Sequence, residues 1–128
     1  NAQNLANTAW AFATLKVEAA SLFGAVALEA RKKVPSFDSQ CLSNLVWAFA
    51  TAGLRKPALF QAVATEAQKR IAGFDAQSLA NTVWAFSRAG IRCRALFRAV
   101  SRDAPAKMQQ FNSQNLANTA WAFAAAGV

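Results

Sequence analysis

Side-chain amides and tryptophans recur in this chain in a pattern that could bind a polar, planar ligand. Equivalent positions are 37 residues apart. The recurring residues are Gln3, Gln40, Gln77 and Gln114, then Asn7, Asn44, Asn81 and Asn118, and then Trp10, Trp47, Trp84 and Trp121. Amides both donate and accept hydrogen bonds, so they can contact base edges or a sugar–phosphate backbone. An indole ring can stack on a base. The chemistry that these residue types favour is therefore binding.

The residue types that catalysis and metal binding need are scarce in this sequence. There is no histidine, and Cys41 and Cys93 occupy unrelated places in the repeat without the short spacing of a metal site. The sequence also has no glycine-rich phosphate loop and no paired carboxylates. We therefore expect no enzyme activity, no metal site and no cofactor. Two isolated cysteines are also more typical of a reducing compartment than of a disulfide framework.

The constant period indicates repeated supersecondary units stacked in one direction. We divide the chain into three full units, 1–37, 38–74 and 75–111, and the first helix of a fourth unit, 112–128. Neither end carries the polar outer face that terminal repeats normally have. We therefore expect the parent protein to contain further repeats, at least on the C-terminal side.

Each unit is predicted to be a hairpin of two helices, A and B. In the second unit Asp38 is a good N-cap for helix A, which runs from about Ser39 to Ala52 and ends at Gly53. Pro57 suits the first turn of helix B, which runs to about Ala72. The equivalent caps are Asn1, Asp75 and Asn112, the equivalent glycines are Gly90 and Gly127, and Lys16 replaces the glycine in the first unit. The predicted fold is an all-α solenoid of αα-hairpins, a right-handed superhelix of about seven helices.

The surface of helix A divides into an apolar side, two flanks of small residues and a polar stripe. At 100° per residue, Leu42, Val46 and Phe49 point toward helix B. Small flanking residues let the A helices of neighbouring units pack closely. The recurring amides lie opposite the apolar side, with Trp47 at the edge of their stripe. We therefore expect helix A to line the concave face of the array.

The centre of the unit also resembles a known family. It reads QNLANTAWAFA in the first and fourth units, QCLSNLVWAFATAG in the second and QSLANTVWAFSRAG in the third. This pattern is similar to the octotricopeptide repeat, a helical hairpin of nearly the same length, and the similarity covers the whole chain. The resemblance implies binding of single-stranded RNA in chloroplasts or mitochondria. It also implies a role in transcript stabilisation, processing, translation or ribosomal RNA assembly.

The net charge of the chain also agrees with RNA as a partner. The chain has 14 Lys and Arg against 6 Asp and Glu, a formal charge of +8 and a pI of about 10.6, which favours a polyanionic partner. A basic surface kept for solubility or for organelle import is the alternative. Two rows of aligned basic residues, at the end of helix B and in the A–B turn, would flank a groove and follow phosphates. The predicted phosphate rim consists of Lys33, Arg55, Lys56, Arg70, Arg92 and Lys107.

The groove floor is predicted to lie on helix A. Its residues are Gln3, Asn4, Asn7, Gln40, Cys41, Asn44, Gln77, Ser78, Asn81, Arg88, Gln114, Asn115 and Asn118. A code that reads different bases in different units needs residues that vary, so we assign discrimination to the variable set Asn4, Cys41, Ser78 and Asn115. Two alternatives stay open. The constant asparagines could hold neighbouring units together by bonding to their backbone, and tryptophans at constant helical spacing more often form core than stacking platforms.

The sequence thus predicts a module that binds single-stranded RNA, an organellar transcript or ribosomal RNA, in organellar post-transcriptional gene expression. The alternative function is a structural scaffold that docks protein subunits within a large organellar assembly, such as a ribosome or a membrane complex. The longest apolar run, Leu45–Leu54, is too short to span a membrane.

Overall fold

The computed structural model describes residues 2–15 and 20–128, and for residues 12–15 only the helical backbone. The described residues form helices joined by short turns and contain no strand. Its α-helices are α1 (Ala2–Leu15), α2 (Ala20–Lys33), α3 (Ser39–Thr51), α4 (Pro57–Lys69), α5 (Ala76–Ala89), α6 (Arg94–Asp103) and α7 (Ser113–Ala126). These seven helices confirm the all-α hairpin array. Asn1 and Lys16, predicted as a cap and a turn residue, lie outside the described residues.

The A helices begin at the caps that the sequence predicts. Asp38 Oδ1 accepts from Cys41 N at 2.7 Å, Asp75 Oδ1 from Ser78 N at 2.8 Å and Asn112 Oδ1 from Asn115 N at 2.7 Å. Each bond satisfies a backbone donor that the first helical turn leaves free. The hydrogen bond from the Cys41 backbone lowers the pKa of the Asp38 carboxyl below its usual value.

The A helices end as predicted, at glycines in the left-handed region. Gly53, Gly90 and Gly127 have φ angles of 73°, 69° and 72°. A side chain would be strained in this conformation, which reverses the chain after each A helix. The predicted turn chemistry is therefore confirmed at these three positions.

Helix B is shorter than predicted in the second unit. Pro57 begins α4 as expected, but the α-helix ends at Lys69, and a 3-10 turn follows at Ile71–Gly73. Phe74 N donates to Ile71 O at 3.0 Å and closes that turn. Similar 3-10 segments follow α2 at Val34–Ser36 and α6 at Ala104–Gln110. The tighter winding redirects the chain toward the next A helix within a few residues.

The helices form two layers, an A layer (α1, α3, α5, α7) and a B layer (α2, α4, α6). Neighbouring A helices contact each other much more extensively than neighbouring B helices do. Fully buried small residues such as Ala48 and Ala85 permit this close approach. Ser87 Oγ also donates to Ala122 O at 2.7 Å between α5 and α7. Because the A helices are closer together, we infer that the array curves with the A layer on its inner side.

Phenylalanines join the two layers. One ring from a B helix meets one from an A helix edge to face in the pairs Phe23–Phe49, Phe60–Phe86 and Phe97–Phe123, with ring centroids 5.1, 5.0 and 4.9 Å apart. This geometry is favourable for aromatic pairs beyond the apolar area that they bury. The repeated contact forms one continuous core along the array. It leaves the opposite side of each A helix free for a binding surface.

Candidate nucleic-acid interface on the A layer

A row of four tryptophans follows the A layer from α1 to α7, and we call it the tryptophan ladder. Successive ring centroids are 6.4, 6.3 and 6.4 Å apart, with interplanar angles of 27°, 31° and 39°. Trp10 and Trp121 are each 46% exposed, and Trp47 and Trp84 are partly buried. The expectation that these residues form core holds for part of the row, since Trp47 and Trp84 pack against the hydrophobic core, whereas Trp10 and Trp121 are exposed. Each ring packs against the next and also reaches the surface.

A polar groove lies beside the ladder and has a volume of about 270 Å³. Constant amides from three successive A helices line it, together with Trp10 and Trp47. The amide residues are Asn44, Gln77, Asn81, Gln114 and Asn118. The structure thus brings together much of the predicted floor. Gln40 is exposed on the same stripe.

The first unit orders its amides by hydrogen bonds. Gln3 Nε2 donates to Asn7 Oδ1 at 3.2 Å, and Gln3 Oε1 accepts from Cys41 Sγ at 2.9 Å. Between neighbouring A helices, Cys41 Sγ donates to Gln3 Oε1 and Ser87 Oγ donates to Ala122 O. Neither bond involves a constant asparagine, so the alternative in which the constant asparagines hold the stack together stays a prediction.

The variable set predicted to choose the base is mostly not on the surface. Cys41, Ser78 and Asn115 are 3%, 3% and 7% exposed, whereas Asn4 is exposed. The physical reason is their position three residues after the N-cap. There the backbone N–H bonds to the cap, and the Cys41 side chain turns toward the preceding A helix, where its Sγ donates to Gln3 Oε1. Asn115 also uses its own amide, since its Oδ1 accepts from Asn112 N at 3.1 Å.

Burial of Cys41 predicts unequal reactivity of the two thiols. Burial and the nearby Asp38 raise the pKa of the Cys41 thiol to about 11, and the thiolate is the reactive form. At pH 8 we expect Cys93, which is only partly buried, to react quickly with a disulfide reagent and Cys41 to react slowly. The Cys41→Ser variant should lose only the slow phase, and in denaturant both thiols should react at one rate. Equal native rates would place Cys41 on the surface.

The basic row at the end of the B helices is paired with acids. Lys33 Nζ lies 3.5 Å from Glu29 Oε2, and Arg70 Nε lies 3.5 Å from Glu66 Oε1. Both acids precede their partners by four residues, a spacing that brings side chains together on a helix. That spacing was readable in the sequence. Each glutamate is shared by two cations, because Lys32 also lies 3.9 Å from Glu29 and Lys69 lies 3.8 Å from Glu66, so the row is only partly neutralised within its own helix.

Lys107 has a structural position that the rim prediction missed. Its Nζ contacts Asp103 Oδ2 at 2.5 Å and donates to the carbonyl oxygens of Ile71, Ala72 and Phe74 at 3.2, 3.0 and 2.6 Å. Only 16% of its side chain is exposed. Lys107 therefore caps the 3-10 turn of the preceding unit, and its charge is directed into the protein. The assignment of Lys107 to a phosphate rim is wrong.

The basic residues of the A–B turns lie at the other end of the A helices. Arg55 and Arg88 line a common pocket of about 240 Å³ beside Gly53. Arg88 follows Trp84 by four residues on α5, so it extends the ladder stripe toward this pocket. Arg92 is exposed at the position equivalent to Arg55. We call Arg55, Arg88 and Arg92 the arginine edge.

Comparison with known proteins now places the chain in a family. A family model described as RNA-editing substrate-binding complex 6 protein matches residues 1–128. The chain belongs to this family. No curated protein matches the chain significantly.

Membership in the RNA-editing substrate-binding complex 6 protein family corrects the resemblance to octotricopeptide repeats, which is wrong. The Q-x-L-A-N-x-x-W-A-F core gave rise to that resemblance. In the structure several positions of this core pack one unit against the next, because small residues lie between the A helices and the tryptophans contact one another. Close stacking of helical hairpins makes similar demands on any such array.

The family agrees with the broader predictions of an RNA-related post-transcriptional role, RNA and protein partners, and an organellar location. It gives no support to a chloroplast or to a reducing compartment.

Further basic residues of this family member lie along the B layer, and most of them were not among the predicted site residues. Lys56 lines a groove of about 370 Å³ with Arg31, between α2 and α4, so this predicted rim residue does not share the pocket of Arg55. Arg94, Arg98 and Arg102 are exposed along α6 at intervals of four residues. The four-residue spacing, which places side chains on one face of a helix, was visible in the sequence but was not used in the prediction. The B layer thus offers a second charged surface.

Within the described residues no three His, Cys, Asp or Glu side chains come together as a metal site. The helices of the described part are also too short or too polar to cross a membrane.

Proposed function

We propose that the chain is a single-stranded RNA-binding module of an RNA-editing complex, and that RNA lies along the inner A layer. Bases stack on the tryptophan ladder, the amides of the groove contact base edges or sugars, and the arginine edge holds phosphates. The family description names both RNA-editing substrates and a complex, and this supports RNA as the ligand.

The observation that carries the proposal is the partly exposed tryptophan ladder beside the amide groove. Proteins that bind single strands combine aromatic stacking platforms with positive charge along the backbone path. On α5 both occur on one side of the helix, because Trp84 and Arg88 are one helical turn apart. In contrast, the net charge of the chain does not indicate which layer binds RNA, since seven of the fourteen lysines and arginines lie on the B helices.

The proposed site of action is the mitochondrion, and the proposed role is non-catalytic. The support for a binding role is the chemistry of the A layer, where amides, indoles and arginines offer hydrogen bonds, stacking and charge. RNA editing is post-transcriptional, so the module would present or retain transcripts for other components of the complex.

A filter-binding titration tests the proposal. We expect a single-stranded RNA of about 12 nucleotides to bind at least tenfold more tightly than the duplex of the same sequence, because the bases of a duplex are paired and cannot stack on the ladder. A helical protein of equal net charge serves as the reference for non-specific binding. If the chain binds neither RNA more tightly than the reference does, the proposal is wrong.

The arginine edge should determine the salt dependence. For a single strand, log Kd changes with log salt by about 0.7 for each neutralised phosphate. The double substitution Arg55→Ala with Arg92→Ala is expected to make this slope shallower by roughly 1.4 and to weaken all sequences about equally. The control, Arg94→Ala with Arg98→Ala, removes the same charge from the B layer and should change the slope much less. A larger effect of the control pair would assign RNA to the B layer.

A scaffold role is the second candidate, and one observation favours it. On α2, Leu28 is 67% exposed at the groove between α2 and α4, which is a surface suited to a protein contact. The family description also names a complex. In the filter-binding experiment, this candidate predicts that RNA binds no better to the chain than to the reference protein.

A further inference from the structure

The tryptophan ladder has a repeat distance that suits one nucleotide per unit. Successive indole centroids are 6.3–6.4 Å apart. A nucleic-acid strand with stacked bases rises about 3.4 Å per nucleotide, and an unstacked strand extends to roughly twice that. A strand that follows the ladder can therefore place one base against each indole. No unit is left without a base, and no unit has to hold two bases.

Each unit also presents the same side chains to its nucleotide. Trp47 and Asn44 recur as Trp84 and Asn81 in the next unit, and both pairs lie on the A-layer surface. Of the variable set, Cys41 and Ser78 are each 3% exposed, whereas Asn4 is exposed and Asn115 lines the groove. In the middle units the constant amides are therefore presented and the variable residues are buried.

A constant binding surface has a consequence for sequence preference. A side-chain amide offers one donor next to one acceptor, and adenine, cytosine and uracil each present a complementary edge, but with the two groups differently placed. An amide that packing holds in one position fits one of these edges best. If every unit holds its amide in the same way, every unit selects the same base.

We propose that the A layer selects a single-stranded tract of one repeated base, with one nucleotide stacked on each tryptophan. This inference rests on the proposed function and deepens it, because it names the class of RNA. Stacking supplies affinity that any base can use, and the repeated asparagines add the preference for one base.

The test compares three homopolymeric 12-mers, of adenine, cytosine and uracil, with a mixed 12-mer of the same three bases. We expect one homopolymer to bind at least tenfold more tightly than the mixed strand, since a single good contact to a base edge discriminates by about this order. The double substitution Asn44→Leu with Asn81→Leu should reduce that preference at least threefold and leave the salt slope unchanged. Helical circular dichroism checks that the variant is folded.

Two results would contradict this inference but leave the proposed function in place. One is a mixed strand that binds as tightly as the best homopolymer. The other is a preference that survives in the folded asparagine variant, because stacking alone would then explain it. If instead every single strand, mixed or uniform, binds no better than a duplex, the proposed function itself fails and the inference fails with it.

Discussion

The double substitution Trp47→Leu with Trp84→Leu is expected to weaken single-stranded RNA binding by at least about 30-fold, because each base that stacks on an aromatic ring gains about 1–3 kcal/mol. These two rings occupy the middle of the ladder, each between two others at 6.3–6.4 Å. Leucine keeps an apolar side chain against the A layer but offers no aromatic face. Filter binding at fixed salt measures the loss.

The matched control is Trp47→Phe with Trp84→Phe, which alters the same positions but retains an aromatic face. We expect this variant to keep most of the RNA affinity, and both variants to keep the helical circular dichroism spectrum. If the leucine and phenylalanine variants bind RNA equally well, the tryptophans do not stack on bases. The ladder would then serve only to hold the A helices together.

The largest expected effect on stability is at the junction of the two layers. Phe86 is fully buried, and its ring meets that of Phe60 at 5.0 Å. Phe86→Ala should lower the free energy of unfolding by about 3–5 kcal/mol, since it removes buried apolar contacts and leaves a cavity. Urea unfolding followed by circular dichroism measures the change.

Gln77→Ala on the same helix is the control, because Gln77 is exposed. This substitution should change the free energy of unfolding by no more than about 0.5 kcal/mol. A comparable decrease in the free energy of unfolding in both variants would contradict this account. It would mean that exposed contacts stabilise α5 as much as the core between the layers does.

The features that sequence predicted correctly are local ones. The cap at Asp38, the left-handed glycine at Gly90 and the proline that begins α4 each depend on the backbone of a few neighbouring residues. Because equivalent positions recur every 37 residues, the same caps and turns recur in successive units. The two-layer array follows because each hairpin buries its apolar side against its neighbours.

The features that sequence did not predict depend on contacts between units. The side chain of Cys41 lies three residues after a cap, where helix A is close to the previous A helix, and only the packed array shows that this position is buried. Lys107 similarly reaches carbonyl oxygens more than thirty residues earlier in the chain. Trp47 lay at the edge of a stripe on the helical wheel, and its exposure is set by the neighbouring indoles.

The intrinsic fluorescence of the protein tests the central claim most directly. The chain has four tryptophans and no tyrosine, and all four tryptophans belong to the ladder, so the emission reports on this surface alone. If RNA bases stack on the ladder, titration with a single-stranded 12-mer should quench the emission in proportion to the fraction of protein bound in the filter assay. Binding of the strand without any change in tryptophan emission would contradict the account and place the RNA away from the A layer.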